Sequence, residues 1–272
     1  MIPVSKTTQQ ARRTVRRLLD AAENLPGSLR RAVVAMRDAA VPPLLEILME
    51  EEDGYAPAHA AALLGELRAT VAIQPMLDLL VETEWDELVH DAIIQALPKM
   101  GAPVVEPALQ AYVECDDFDF RFSLGEVLAG CGARDDRILA RLLELFEIEP
   151  DGAAMHLASY GDPRAIEHLS LAFDAYQLIP TVGPLGNQDL IELRSAIEHL
   201  GGALTPSQEN KYQQAMEPLE RWRRARAAKM PPERAARPGR NEPCWCGSAT
   251  KYKRCHLDAD QAEVVGQGAF SL

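Results

Sequence analysis

Three cysteines and a histidine stand within thirteen residues of one another: Cys244-Trp-Cys246-Gly-Ser-Ala-Thr-Lys-Tyr-Lys-Arg-Cys255-His256. Thiolate and imidazole are soft to borderline donors, and four of them at this spacing suit a tetrahedral zinc ion. Three thiolates and a neutral imidazole around Zn²⁺ leave a net charge of about −1. Arg240, Lys251, Lys253 and Arg254 lie close enough in sequence to offset it. With every zinc position filled by protein, no place is left for a reacting water, which predicts a structural site. The competing reading is a redox or incidental group of cysteines. In a reducing compartment the compact spacing argues for metal instead.

The segment around these ligands has almost no core of its own. Trp245, Tyr252 and Leu257 are its main apolar residues. Gly247, after the second candidate ligand, lets the backbone turn tightly, and Asn241 and Pro243 can preset the entry turn. Ligation is therefore expected to supply the folding energy.

The run from Arg240-Asn-Glu-Pro-Cys-Trp-Cys-Gly-Ser to Lys251-Tyr-Lys-Arg-Cys-His256 resembles the SEC-C motif, which also forms the C-terminal tail of the bacterial translocation ATPase SecA. The chain departs from that pattern at Trp245, where proline is usual, and at Ala249 and Thr250, where glycine and lysine are usual; the ligand spacing is intact. The resemblance implies that Cys244, Cys246, Cys255 and His256 bind zinc. It also implies contact with an acidic export chaperone or the ribosome. Lys251 and Lys253 match basic residues of that contact, and Arg240, Tyr252 and Arg254 complete the candidate partner-binding set. Nothing else in the chain resembles the SecA motor, and no phosphate-binding G-x-x-x-x-G-K-[ST] loop occurs.

The elements that carry this segment follow a period. Pro43, Pro75 and Pro107 are 32 residues apart, and Leu45, Leu77 and Leu109 follow each by two positions. Leu48, Leu80 and Tyr112 follow by five, an offset copy brings Leu142 and Leu145, and a shorter one brings Leu169 and Phe173. Apolar residues at helical spacing behind a first-turn proline predict a helix in each copy. Between them lie runs rich in small residues, 58–67, 88–100 and 124–131. The unit is thus a helical hairpin that cannot bury its apolar stripe until neighbours stack, which predicts an all-α solenoid.

Ser159-Tyr-Gly-Asp-Pro-Arg-Ala-Ile166 sharpens this. Gly161 is expected to close one helix, Asp162 to cap the next, and Pro163 and Arg164 to occupy its first turn. The pattern over about 28–178 resembles HEAT-like repeats, including the short class of phycobilin lyases, and the resemblance implies protein contacts. The expected division is a basic N-terminal helix (1–27), the repeats (28–180), two helices that cap them (181–230), a linker (231–239), the zinc module (240–257) and a tail (258–272). Pro218 predicts a kink or break in the last long helix.

The chain has 272 residues and a formal charge of −13, but the charge is segregated. Residues 38–200 hold 31 acidic and 8 basic side chains, residues 1–37 hold 2 and 8, and residues 201–256 hold 5 and 12. The acids cluster at 50–53, 82–87, 114–119 and 147–151, and are expected just after the second helix of each unit. They either dock a basic protein segment or cap helices and keep the edge soluble. The basic stretch Arg221-Trp-Arg-Arg-Ala-Arg226 offers a competing function as a nucleic-acid or ribosome-surface binder. An enzyme is the third reading, without a supporting motif: no H-E-x-x-H, G-x-S-x-G or G-x-G-x-x-G occurs. His59, His90, His156, His168 and His199 are expected to be packing or surface residues, and Cys115 and Cys131 core or free thiols. No apolar run is long enough to span a membrane, and no signal core follows the basic start, which predicts a cytoplasmic adaptor.

Overall fold

The computed structural model describes residues 6–50, 54–83, 87–179, 187–229, 239–244, 248 and 250–257. Its helices are α1 (Lys6–Val15), α2 (Gly27–Val34), α3 (Val41–Glu50), α4 (Ala56–Glu66), α5 (Ile73–Glu82), α6 (Leu88–Ala96), α7 (Val105–Glu114), α8 (Phe118–Gly130), α9 (Asp136–Ile148), α10 (Pro150–Tyr160), α11 (Ala165–Ala175), α12 (Gln188–His199) and α13 (Pro206–Lys229). Among the described residues there is no β-strand, only an isolated antiparallel bridge between Pro243 and Lys251. The fold is an all-α solenoid of HEAT type followed by a small C-terminal module. By contacts, the chain divides into two compact units, one within 1–179 and 187–215, the other within 180–186 and 216–272.

The 32-residue period appears as the alternation of an outer helix (α3, α5, α7) with an inner one (α4, α6, α8). Each outer helix carries its proline in the first turn, where a missing N–H costs nothing. Leu48, Leu77, Leu80, Leu109 and Tyr112 are buried as expected, whereas Leu45 is half-buried and Leu44 takes the core position in α3. The inner helices approach closely because their facing residues are small. Gly65 of α4 lies against Ala96 of α6 so tightly that a Cβ there would meet the Ala96 Cα at 2.7 Å.

Buried Ala11, Val15 and Leu18 join the N-terminal segment to the same core, while Arg12 pairs outward with Glu46 of α3 at 2.6 Å. At the far end, α12 packs on α10 and α11. Lys211 Nζ donates to the carbonyls of Phe173 and Asp174 at 2.9 and 2.8 Å, satisfying groups left open where α11 ends.

Gly161 behaves as expected, whereas α11 begins only at Ala165 and has no side-chain cap of its own, so Asp162 caps the turn ahead of it, over Pro163 and Arg164. Gly161 ends α10 in the left-handed region, φ 74°. Asp162 Oδ1 then accepts from the Arg164 N–H at 2.9 Å. The same device recurs one repeat earlier without a proline to announce it: Asp135 Oδ1 accepts from the Arg137 N–H at 2.9 Å. The arginines tie neighbours together. Arg164 reaches Asp136 at 2.7 Å, and Arg137 reaches Glu106 at 3.0 Å. Hydrogen bonds from these guanidinium groups hold Asp135 and Asp162 below the usual carboxylate range.

Two further expectations are corrected. The acidic clusters follow the first helix of each unit rather than the second: Glu50 ends α3, Glu82 ends α5, Glu114 ends α7, and Glu147 lies in the last turn of α9. Residues 51–53 and 84–86 lie outside the described residues. Only some of these acids cap. Asp117 accepts from the Phe120 N–H at 2.8 Å, whereas Glu149 makes no side-chain cap to α10. The second correction concerns the break allowed for at Pro218, which sits inside a single unbroken α13. The carbonyl it deprives of a donor belongs to Gln214, which is exposed, so water can replace the lost bond.

Candidate metal centre

A short antiparallel pairing brings the ligand-bearing ends of the C-terminal module together. The Cys244 N–H donates to the Thr250 carbonyl at 2.8 Å, the Tyr252 N–H to Glu242 at 2.8 Å and the Lys253 N–H to Arg240 at 3.1 Å. A 3-10 turn over Tyr252–Arg254 then swings Cys255 and His256 back towards Cys244. The Cys255 and His256 N–H groups both donate to the Tyr252 carbonyl at 3.1 Å, which fixes that reversal.

Cys244 Sγ, Cys255 Sγ and a ring nitrogen of His256 all lie within 4.8 Å of one another. His256 Nδ1 is 3.3 Å from Cys244 Sγ and 3.1 Å from Cys255 Sγ. Around a tetrahedral zinc, with bonds of about 2.0–2.3 Å, such donors would stand about 3.5 Å apart. The donor set and its spacing therefore fit a bound metal ion. Ser248 Oγ lies 3.3 Å from Cys255 Sγ and can donate to it, the outer-shell contact that steadies a thiolate ligand. Cys246, with Trp245 and Gly247, lies outside the described residues.

Cys244 is 4% exposed, and Cys255 is exposed. Tyr252, expected both in the module's core and at a partner contact, is 2% exposed and serves the core. Arg240, Lys251, Lys253 and Arg254 are all exposed.

A second polar cluster lies in the first unit, in a groove of about 280 Å³ lined by His90, Asp91, Ile94, Asp119, Phe122 and Ser123. His90 Nε2 is 3.1 Å from Ser123 Oγ, and His90 Nδ1 is 3.2 Å from Thr83 Oγ1. The pair resembles a nucleophile and its base, but Ser123 donates back to the Asp119 carbonyl at 3.0 Å. It also sits in mid-helix, where backbone N–H groups are engaged in helical bonds and cannot stabilise an oxyanion. The cluster instead joins adjacent repeats by satisfied polar contacts. Burial, and then the nearby Asp91 carboxylate, push Glu126 above the usual carboxylate range.

Further along, His156 is buried against Phe122, ring centroids 4.5 Å apart, and its Nδ1 has no hydrogen-bond partner. Burial lowers its pKa to about 4. An unfolded histidine titrates near 6.5, so between those values the unfolded chain binds more protons than the folded one. The stability this neutral ring provides is complete above pH 6.5 and is lost as pH falls towards 4. The loss amounts to about 3 kcal/mol at full extent. Urea midpoints at pH 7, 5.5 and 4.5 should therefore fall more steeply for the natural chain than for His156→Leu. Parallel profiles would show that His156 is not the group responsible.

No described helix is long and apolar enough to cross a membrane. Residues 41–129 match the family model of HEAT repeats, and residues 240–258 match that of the SEC-C motif. Both are non-catalytic domain types. No curated protein and no solved structure matches the chain.

Proposed function

We propose that this chain, a HEAT-repeat body ending in a SEC-C motif, is a non-catalytic cytoplasmic adaptor that binds one protein through its solenoid and a second partner through a zinc module. The observation that carries the reading is the pairing of two non-catalytic domain types in two compact units of one chain. Two binding surfaces on one polypeptide raise the effective concentration of one partner near the other, and this requires no chemistry at either.

In this reading Cys244, Cys246, Cys255 and His256 hold a structural zinc ion. The metal supplies the folding energy that so small a core cannot. The exposed Arg240, Lys251, Lys253 and Arg254 then face an acidic partner, an export chaperone or the ribosome. The division into N-terminal helix, repeats, capping helices, linker, module and tail belongs to the same proposal.

Co-sedimentation with ribosomes and titration against an acidic export chaperone test the module's share, using the zinc-loaded full chain. Lys251→Glu with Lys253→Glu should weaken binding at least about tenfold while leaving metal content unchanged, because exposed charges steer and hold an oppositely charged partner. Binding to neither target, or unchanged binding by the double variant, would remove this partner assignment. The competing nucleic-acid reading rests on α13, where Arg221 and Arg224 are exposed but stand near Glu217 and Glu220, at 3.6 and 3.2 Å. RNA binding that falls steeply with salt and persists in the module variant would favour it.

A further inference from the structure

Met49, Val81 and Val113 occupy the same position in three successive repeats, 32 residues apart, in the last turn of α3, α5 and α7. They are 51%, 55% and 61% exposed, although every neighbouring repeat position that faces the core is apolar and covered. A lone exposed apolar residue on a solvated face needs no explanation. Three at one repeat position, two of them on the packed helices α5 and α7, mark out a stripe.

Each is followed directly by an exposed glutamate: Glu50, Glu82 and Glu114. Among the described residues, Glu50 and Glu82 take part in no ion pair, and Glu114 accepts only from Gln110 of its own helix, at 2.8 Å. At its far end the stripe opens into a groove of about 350 Å³ between α7 and α9. Val113 lines it together with Leu109 and Ala140, and Arg137 and Arg141 lie along its rim. Those two arginines are already paired, with Glu106 and Asp135 and with Glu144. The face as a whole therefore presents apolar contact beside uncompensated negative charge.

We propose that this stripe is the solenoid's docking face and that its occupant is a lysine- or arginine-rich amphipathic helix of a partner protein. The inference rests on the adaptor reading and names the partner chemistry for its solenoid half. Charge complementarity selects this occupant: nucleic acid and anionic lipid would be repelled by the glutamates, whereas a basic helix meets them. Adjacent packed helices stand about 8–10 Å apart, so Met49 to Val113 spans about 16–20 Å. A helix rising 1.5 Å per residue covers that in about 11–13 residues. Its apolar side would lie along the stripe with one anchor in the groove beside Val113, the helix-in-groove mode of recognition.

The probe is a labelled 14-residue peptide of leucine and lysine with its leucines on one helical face, titrated into the zinc-loaded full chain by fluorescence anisotropy. A scrambled peptide of the same composition should bind at least about tenfold more weakly, since it keeps the charge and loses the stripe. Val81→Asp with Val113→Asp should weaken the ordered peptide by a similar factor. Leu171→Asp, an exposed apolar site on α11, should change it by less than about twofold. Val81→Ser with Val113→Ser, whose circular-dichroism melt should match that of the natural chain, guards against a folding artefact. Equal binding of both peptides, or retention by both stripe variants, would overturn the docking face. That result would leave the adaptor reading intact, because the module's partner is tested separately through Lys251 and Lys253.

Discussion

Cys255→Ser should release the metal and unfold residues 240–257 while the repeats keep their melting temperature. The full chain is expected to carry one zinc ion by elemental analysis, and the variant none after dialysis. Structural zinc contributes roughly 10–16 kcal/mol in comparable small sites, far more than this module's few apolar residues can supply. Removing one of the three thiolates, and so one ligand of four, should weaken metal affinity by at least about a thousandfold, roughly 4 kcal/mol. Amide exchange gives the local readout. The N–H groups of Cys244, Tyr252 and Lys253, which bond across the pairing, should lose protection in the variant and on chelation. A full chain that binds no zinc, or a variant with unchanged protection, would show that the cysteines do not hold a structural ion. Cys131, buried and bonded to the Leu128 carbonyl in the first unit, is the control thiol: Cys131→Ser should leave metal content alone.

Gly65→Val is expected to be the most damaging single change in the solenoid, at about 3 kcal/mol. The added Cβ would stand 2.7 Å from the Ala96 Cα and 2.8 Å from its carbonyl oxygen. Both are backbone atoms that no rotamer change can move aside. Helix α4 must then separate from α6, the pair with the most extensive contact in the fold. For a unit of this size the loss corresponds to a fall of about 6–12 °C in melting temperature. Ala62→Val, on the exposed side of α4, carries only the helix-propensity difference of about 0.6 kcal/mol. If calorimetry finds the two variants equally stable, the close approach of α4 and α6 is not what the fold depends on. Because each repeat leans on its neighbours, the damage should spread outward from the α3–α4 repeat rather than stay local.

Much of the repeat architecture is legible in the chain. Pro43, Pro75 and Pro107 mark the outer helices because a first-turn proline is tolerated there and almost nowhere else in a helix. The leucines behind Pro75 and Pro107 face inward because helical periodicity puts them on one side, while in the first copy Leu44 rather than Leu45 takes that place. The Asp162–Arg164 turn was readable from its proline. Its twin at Asp135–Arg137 was not, since Asp-Asp-Arg has no distinctive composition and its role appears only when Arg137 reaches Glu106 on another helix. The acidic clusters were visible, but their place in the hairpin depended on where each helix ends, the least determined feature of any helical pattern. Continuity through Pro218 was hidden too: a proline's cost depends on whether the orphaned carbonyl can reach solvent.

By itself the sequence determined the donor types at Cys244, Cys246, Cys255 and His256 and the 32-residue period of the body. Both are local properties, written in residue identity and spacing along the chain. Only the tertiary structure decided which chemically similar residues are covered. Leu48 and Met49 are neighbours in one apolar run, yet one is buried under the next repeat and the other stands in solvent. Tyr252 and Lys253 are neighbours in one motif, yet one is buried and the other stands in solvent. Burial is a property of what lies across a gap, and the residues across it come from other helices, about thirty positions away in the repeats.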